Sequence, residues 1–428
     1  MKKLKMISKN YWKGKCLKML DVEKIRKDFP MLSREHIIQG HPLVYLDNAA
    51  TMFKPLCVKE KIDEYYFEYT GNPHGEDYEL AQRSKKEYEN AREIIAKFIN
   101  AKHEEVIFTA GASAALNTVA YALGETLKKG DEVLLTQAEH ASNVLPWFKV
   151  KEERGIEVNY IPLDEEGRCT LENLKKVITP KTKVISIAHV TNVLGFIVDV
   201  KAICKYAHEK GIIVAIDGAQ SAPHIKIDVK DIDCDFYSFA GHKMCGPTGV
   251  GVLYGKYELL DKLNPLMIGG GTNTRFDTCG DYLLVKPPLK FEAGTPNVEG
   301  AIGLGAAIMY LESIGLDNIH KYEIEMKEYA IKRLKAEVPG ITIYNEHSES
   351  GIITFNLKNV FAQDAATHFN SYGICVRAGQ HCAKILMDYL HTVATVRCSI
   401  GFYNTKQEID YFVEVAKKGE EFLDAFFK

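Results

Sequence analysis

Two residues on successive strand ends suggest covalent chemistry. Asp217 closes the apolar run Ile212-Ile213-Val214-Ala215-Ile216. A carboxylate there either caps a turn or partners a cationic ring nitrogen. Lys243 stands in Ser238-Phe239-Ala240-Gly241-His242-Lys243, ahead of the tight Gly246-Pro247-Thr248-Gly249. A lysine in such a place is either a solvated loop residue or an amine set for Schiff-base formation. A carboxylate that keeps a pyridine protonated and a lysine that bonds an aldehyde are the two groups that pyridoxal phosphate (PLP) chemistry needs.

Further candidates have the same double reading. Phe108-Thr109-Ala110-Gly111-Ala112-Ser113 runs from a strand into a helix over 114–123. Small residues and a hydroxyl there make an anion pocket from backbone N–H groups, or a plain N-cap. His140 ends Gln137-Ala138-Glu139-His140, where an imidazole could stack on a flat ring or serve as a structural residue. Near the C-terminus stand Val376-Arg377-Ala378-Gly379-Gln380-His381-Cys382 and Val396-Arg397-Cys398-Ser399. Cationic neighbours favour the thiolate, which is the nucleophilic form of a cysteine. An arginine can clamp a carboxylate or form a structural ion pair.

These residues need a scaffold. Strand-like runs at 105–108, 132–136, 157–161, 184–189, 212–216, 236–239 and 250–253 alternate with amphipathic stretches such as 171–178 and 200–210. Val/Ile-rich strands alternating with helices predict an α/β sheet covered on both faces. Ligands in such sheets gather at the carboxyl ends of the strands, where His140, Asn192, Asp217, Gln220, His242 and Lys243 all fall. From Val298 the texture changes to long helices, then a strand at 351–357, which predicts a smaller α+β domain.

Composition sets outer limits. The chain has 428 residues and a formal charge of −3, with 26% charged residues. No broad basic surface follows, so no nucleic-acid partner is expected, and no apolar run approaches a membrane span. Ten cysteines without a CxxC pair predict neither a disulfide framework nor a metal site. Residues 1–18 hold seven lysines and no acid, which predicts a disordered basic tail rather than a secretory signal. A cytoplasmic protein is expected.

Taken in order, several motifs resemble the class V branch of fold-type I PLP enzymes, and within it the SUF-type (group II) cysteine desulfurases. They are Leu46-Asp47-Asn48-Ala49-Ala50-Thr51, Ala138-Glu139-His140, Thr191-Asn192-Val193-Leu194-Gly195, Asp217-Gly218-Ala219-Gln220, Gly241-His242-Lys243, Gly294-Thr295-Pro296, Arg377 to Cys382, and Arg397-Cys398-Ser399. The match runs from about Asp21 to the end, and the set in this order is specific where each motif alone is weak.

The resemblance implies a large domain with a mixed, mostly parallel sheet over 46–297 and a small domain over 298–428. A segment 21–45 should pack with the small domain, behind a tail over 1–20. It implies that Lys243 binds the cofactor covalently, that Asp217 pairs with the ring nitrogen and that His140 stacks on the ring. Gln220 and Asn192 should reach the phenolic oxygen, and Ala112, Ser113 and His242 the phosphate. Thr295 should reach the phosphate of a neighbouring subunit, which implies a homodimer. Arg397 should bind the substrate carboxylate, with Asn48, His381 and Arg377 beside it. Cys382 is the implied persulfide-forming nucleophile. The implied substrate is L-cysteine, with L-selenocysteine as a side substrate, and a small SUF-type acceptor would take the sulfur for iron–sulfur or thio-cofactor assembly. Another class V reaction (selenocysteine lyase, aminotransferase, epimerase) and a non-catalytic scaffold stay open as alternatives. The family's phosphate loop often reads Arg-Gly-Thr-Thr-Glu; here it is Ala110-Gly111-Ala112-Ser113-Ala114, and Ala240 replaces a usual hydroxyl before Gly241. Each missing neutral hydrogen bond is worth about 1 kcal/mol, so weaker cofactor retention is expected.

Overall fold

The computed structural model describes residues 20–33, 35–75 and 77–419. The basic tail expected over 1–20 lies, but for Leu20, outside them. Seven strands form the central sheet: β1 (Val106–Thr109), β2 (Glu132–Thr136), β3 (Glu157–Ile161), β4 (Thr182–Ala188), β5 (Ile213–Asp217), β6 (Phe236–Ala240) and β7 (Gly251–Gly255). Their order is β1-β7-β6-β5-β4-β2-β3. Pairing is parallel except for β7, which runs antiparallel to both β1 and β6. β1, β2, β4, β5 and β6 therefore point the same way, and their carboxyl ends share one edge.

The sequence accounts for this arrangement. Val184, Ile185 and Ile187 in β4 are wholly buried, as are Val214 and Ile216 in β5. Such runs suit strands covered on both faces. The helices supply the cover: α1 (Glu79–Phe98), α2 (Ala112–Gly124), α3 (Ala141–Arg154) and α4 (Val200–His208). α4 shows the rule well, since Val200, Ile203, Cys204 and Ala207 are buried at helical spacing. Among the described residues no single helix is long and apolar enough to cross a membrane.

A four-stranded antiparallel sheet forms the second layer. It holds β8 (Thr342–Ile343), β9 (Ile352–Asn356), β10 (Arg377–Gly379) and β11 (Thr395–Ser399), in the order β8-β9-β11-β10. Its own apolar cluster includes Leu334, Phe355, Phe369 and Phe412, with Phe369 and Phe412 stacked at 5.0 Å. The helix α5 (Val298–Ile314) opens this half of the sequence, yet it packs with α1 in the cluster of the large sheet. The N-terminal segment divides as well. Ile25 and Phe29 join the large cluster, whereas Val44–Tyr45 pairs in parallel with Ile374–Cys375.

Candidate active site

Five strand ends and one loop from the second layer enclose a cavity of about 650 Å³. That volume suits a small cofactor with a small substrate. Lys243 lies in the single turn Gly241–Lys243 after β6, and Asp217 is the last residue of β5. Burial drives the Lys243 amine down to about 8; Asp217 opposes that fall and the Arg397 and Arg377 charges add to it. Burial raises the Asp217 carboxyl, against the pull of Lys243 and the Ala219 N–H, which donates to Oδ1 at 2.9 Å. The amine is thus partly neutral near pH 7, and the carboxylate has one amide donor and room for another.

His140 caps α3, its Nδ1 accepting from the Ser142 N–H at 3.1 Å. The ring proton must then sit on Nε2. Burial, Lys243 and two arginines push this imidazole down to about 4, so it is neutral near pH 7. His242, next to Lys243, is also driven down to about 4, by burial first.

Gln220 and Asn192 form another wall. Gln220 Nε2 donates to Ala49 O at 2.7 Å, and Asn192 Nδ2 donates to His381 O at 2.8 Å. Each amide nitrogen has a second hydrogen to give. At the start of α2, Gly111 stands at φ 142°, a region that glycine tolerates, and no side chain caps the helix. The first N–H groups of such a helix have no partner within it. The helix begins two residues earlier than the sequence suggests, so Ser113 sits in its first turn instead of capping it. Ser113 Oγ lies 2.6 Å from Ser142 Oγ, and Ala112 and Ser113 both line the cavity.

The second layer brings Arg377, His381, Cys382 and Arg397 to the opposite side. His381 and Cys382 are consecutive residues at φ 52° and 56°. Side chains seldom adopt that left-handed region, and two in a row turn the loop sharply. The loop is tied to the large sheet by Ala141 N–H to Cys382 O at 2.7 Å, together with the Asn192 bond. The Cys382 thiol is exposed and lies 3.8 Å from Arg377 Nη2. Arg397 is buried, with Nη1 on Asn192 O at 2.8 Å and Nη2 on Asp47 Oδ1 at 3.2 Å. His381 Nε2 lies 3.0 Å from the carbonyl of Thr395, which can only accept, so Nδ1 carries the free lone pair.

Two expected residues stand elsewhere. Asn48 does not line the cavity: Nδ2 donates to Ser399 O at 2.7 Å and to Asn404 Oδ1 at 3.1 Å, while Oδ1 accepts from Tyr403. Its side chain joins the 46–51 segment to β11 and has no hydrogen left for a substrate. Thr295 is exposed and outside this chain's cavity. Three contributors were not singled out for chemistry from the sequence: Asp47, Ser142 and Glu139. An acid closing the apolar Val44-Tyr45-Leu46 was the available signal for Asp47; Ser142 and Glu139 flank His140 closely.

The lining fits PLP. Asn192 Oδ1, Arg397 Nε and His381 Nδ1 are buried without partners. Unpaired buried polar atoms on residues lining one cavity call for a polar guest. The uncapped start of α2 suits a phosphate, Asp217 a ring N–H, and Lys243 an aldehyde.

Comparison with known proteins agrees. Residues 44–412 match the model of the aminotransferase class-V family. A Halalkalibacterium halodurans protein named "Probable cysteine desulfurase" is 46% identical over 412 residues, covering 95% of this chain and 100% of that protein. A Staphylococcus aureus protein of the same name is 44% identical over 407 residues, 94% of this chain and 98% of that one. The structure is similar to a cysteine desulfurase from Thermococcus onnurineus, with TM-score 0.88 and 38% identity over 94% of this chain and 98% of that one. It is similar to one from Escherichia coli, with TM-score 0.87 and 35% identity over 94% and 99%. The chain belongs to the class-V aminotransferase family of PLP-dependent enzymes, in its cysteine desulfurase branch.

Proposed function

We propose that this chain takes sulfur from L-cysteine, releases L-alanine and carries the sulfur as a persulfide on Cys382. The observation that supports this most is one cavity with a partly buried lysine, its amine held near 8, together with a buried carboxylate and an exposed thiol on the facing loop. PLP bound at Lys243 supplies an electron sink for negative charge at the substrate Cα. Arg397 and Arg377 bind the substrate carboxylate, with His381 Nδ1 as a neighbouring acceptor. Once the substrate amine has taken its place on the cofactor, the freed Lys243 Nζ takes the proton from Cα, a task suited to an amine held near 8. Asp217 holds the proton on the ring nitrogen, and the neutral His140 provides a flat face. Ala112, Ser113 and His242 hold the phosphate, and Gln220 and Asn192 offer their second amide hydrogens to the phenolic oxygen. The Cys382 thiolate then attacks the substrate sulfur. An S–S bond forms, the C–S bond breaks, and its electron pair stays on carbon, which takes up a proton on the way to alanine.

The exposed Thr295 supports a homodimer in which it reaches the phosphate site of a second copy. Transfer of the persulfide to a small SUF-type acceptor in the cytoplasm, for iron–sulfur or thio-cofactor assembly, completes the proposal. A functional division into 21–45, 46–297 and 298–428, behind the tail, is kept with it; the separate apolar cluster over 326–416 supports a small second domain, although α5 packs with the large one. The test is turnover of L-cysteine by purified protein with a candidate acceptor. Alanine and transferred sulfur should appear in equal amounts, and Lys243→Ala should lose both turnover and visible absorbance. Alanine formation by Lys243→Ala at the wild-type rate would overturn it.

A further inference from the structure

Glu139 is the one carboxylate wholly enclosed next to His140 among the described residues, and nothing in the mechanism above uses it. It accepts from Thr136 Oγ1 at 2.6 Å, from Asn143 Nδ2 at 2.8 Å and from Ala188 N–H at 3.1 Å. These donors come from three elements: the end of β2, the first turn of α3 and the end of β4. Asn143 continues the chain, its Oδ1 accepting from Ser186 Oγ at 2.6 Å. Thr136 Oγ1 also accepts from Ala138 N–H at 3.2 Å, so its own hydrogen goes to Glu139. The set is all donors, which an ionised acid satisfies most fully. Burial opposes ionisation and raises this carboxyl to about 7. A buried acid of that kind is expensive for the fold and could be replaced by an apolar group if packing were its only task.

The bonds fix what lies one residue away. The His140 imidazole accepts from Ser142 N–H and the His140 carbonyl from Asn143 N–H at 2.8 Å, within the turn that Glu139 and Asn143 fasten to two strand ends. We propose that Glu139 is a positioning residue for the cofactor ring, acting through His140 by locking the β2 end, the β4 end and the first turn of α3 into one unit. The proposal rests on the reading of His140 as the ring-stacking group. It makes Glu139 responsible for the place of the imidazole, while His140 alone touches the cofactor.

A double-mutant cycle on the PLP-loaded enzyme tests this, read by visible circular dichroism of the bound cofactor and by kcat and KM for cysteine. The variants are Glu139→Gln, Glu139→Ala, His140→Ala and the double variants. Loss of hydrogen bonds to a charged group predicts about a tenfold fall in kcat or more for Glu139→Gln, with KM within about twofold. The cofactor dichroism should shift in the same direction as in His140→Ala. In the His140→Ala background the Glu139 substitutions should add nothing to either signal. Equal effects in both backgrounds would overturn the positioning role, since a purely structural residue acts independently of the imidazole. No dichroism change in His140→Ala alone would instead overturn the stacking reading. Glu139→Ala strands three donors at a cost to folding; Glu139→Gln keeps an acceptor for Thr136 and Ala188, so the cycle can be read from it alone.

Discussion

Asp47 and Arg397 form an ion pair at 3.2 Å on the cavity wall, and Arg397 Nε is left without a partner. A merely structural arginine would be expected to use all its donors once buried. The pair orients the guanidinium, and the unused donor marks where a substrate carboxylate belongs. Arg397→Lys should therefore keep cofactor absorbance and raise the KM for cysteine about tenfold or more, given a loss of about 1.5–3 kcal/mol for a hydrogen bond to a charged group. Steady-state kinetics decide it, and an unchanged KM contradicts the assignment.

The state of Lys243 predicts a pH dependence. Only a neutral amine attacks an aldehyde. Burial lowers this amine from its ordinary value to about 8, so its reactive fraction grows as pH rises through that value. The rate of PLP capture by apoprotein should rise with pH and level off above about 8, where an unperturbed lysine would keep rising toward about 10.4. Stopped-flow absorbance across that range measures it.

Asn48 was expected to touch substrate, but its amide is fully engaged with Ser399, Asn404 and Tyr403. Asn48→Ala should lower stability by about 2–4 kcal/mol through stranded buried partners. The KM for cysteine should stay within about twofold of wild type. Denaturant melts and kinetics on the same preparation separate these outcomes.

Gly218 follows Asp217, and a Cβ there would lie 2.0 Å from Tyr237 Cε1. The Tyr237 hydroxyl is itself bonded to His189 Nδ1 at 2.9 Å and to Ser221, so the ring cannot move aside cheaply. Gly218→Ala should cost about 1–3 kcal/mol by overpacking and loosen the turn that holds Asp217. Faster loss of PLP on dialysis is the readout.

Much of this fold can be read from the sequence. β2 and β3 fall on the residues expected, and the other five sheet strands shift by a residue or two, because Val/Ile runs between amphipathic helices have one stable arrangement. The placement of twelve candidate residues around one cavity follows from five parallel-pointing strand ends and the returning loop. What stayed hidden depends on contacts distant in sequence. The pairing of Asp47 with Arg397 spans most of the chain, and the engagement of Asn48 by Ser399 likewise requires the second layer to be folded. Glu139 was visible only as a neighbour of His140, since its donors come from three separate elements. The textural change at Val298 marks where strands give way to helices, while α5 itself packs on the large sheet.

The central claim is that Cys382 receives the substrate's sulfur. Mass spectrometry after one turnover with L-cysteine, under non-reducing conditions, tests it most directly. One extra sulfur atom should appear on the peptide containing Cys382, and Cys382→Ala should retain the cofactor's absorbance yet form no persulfide and no alanine. Sulfur on a different cysteine, or normal alanine formation by Cys382→Ala, would contradict the account.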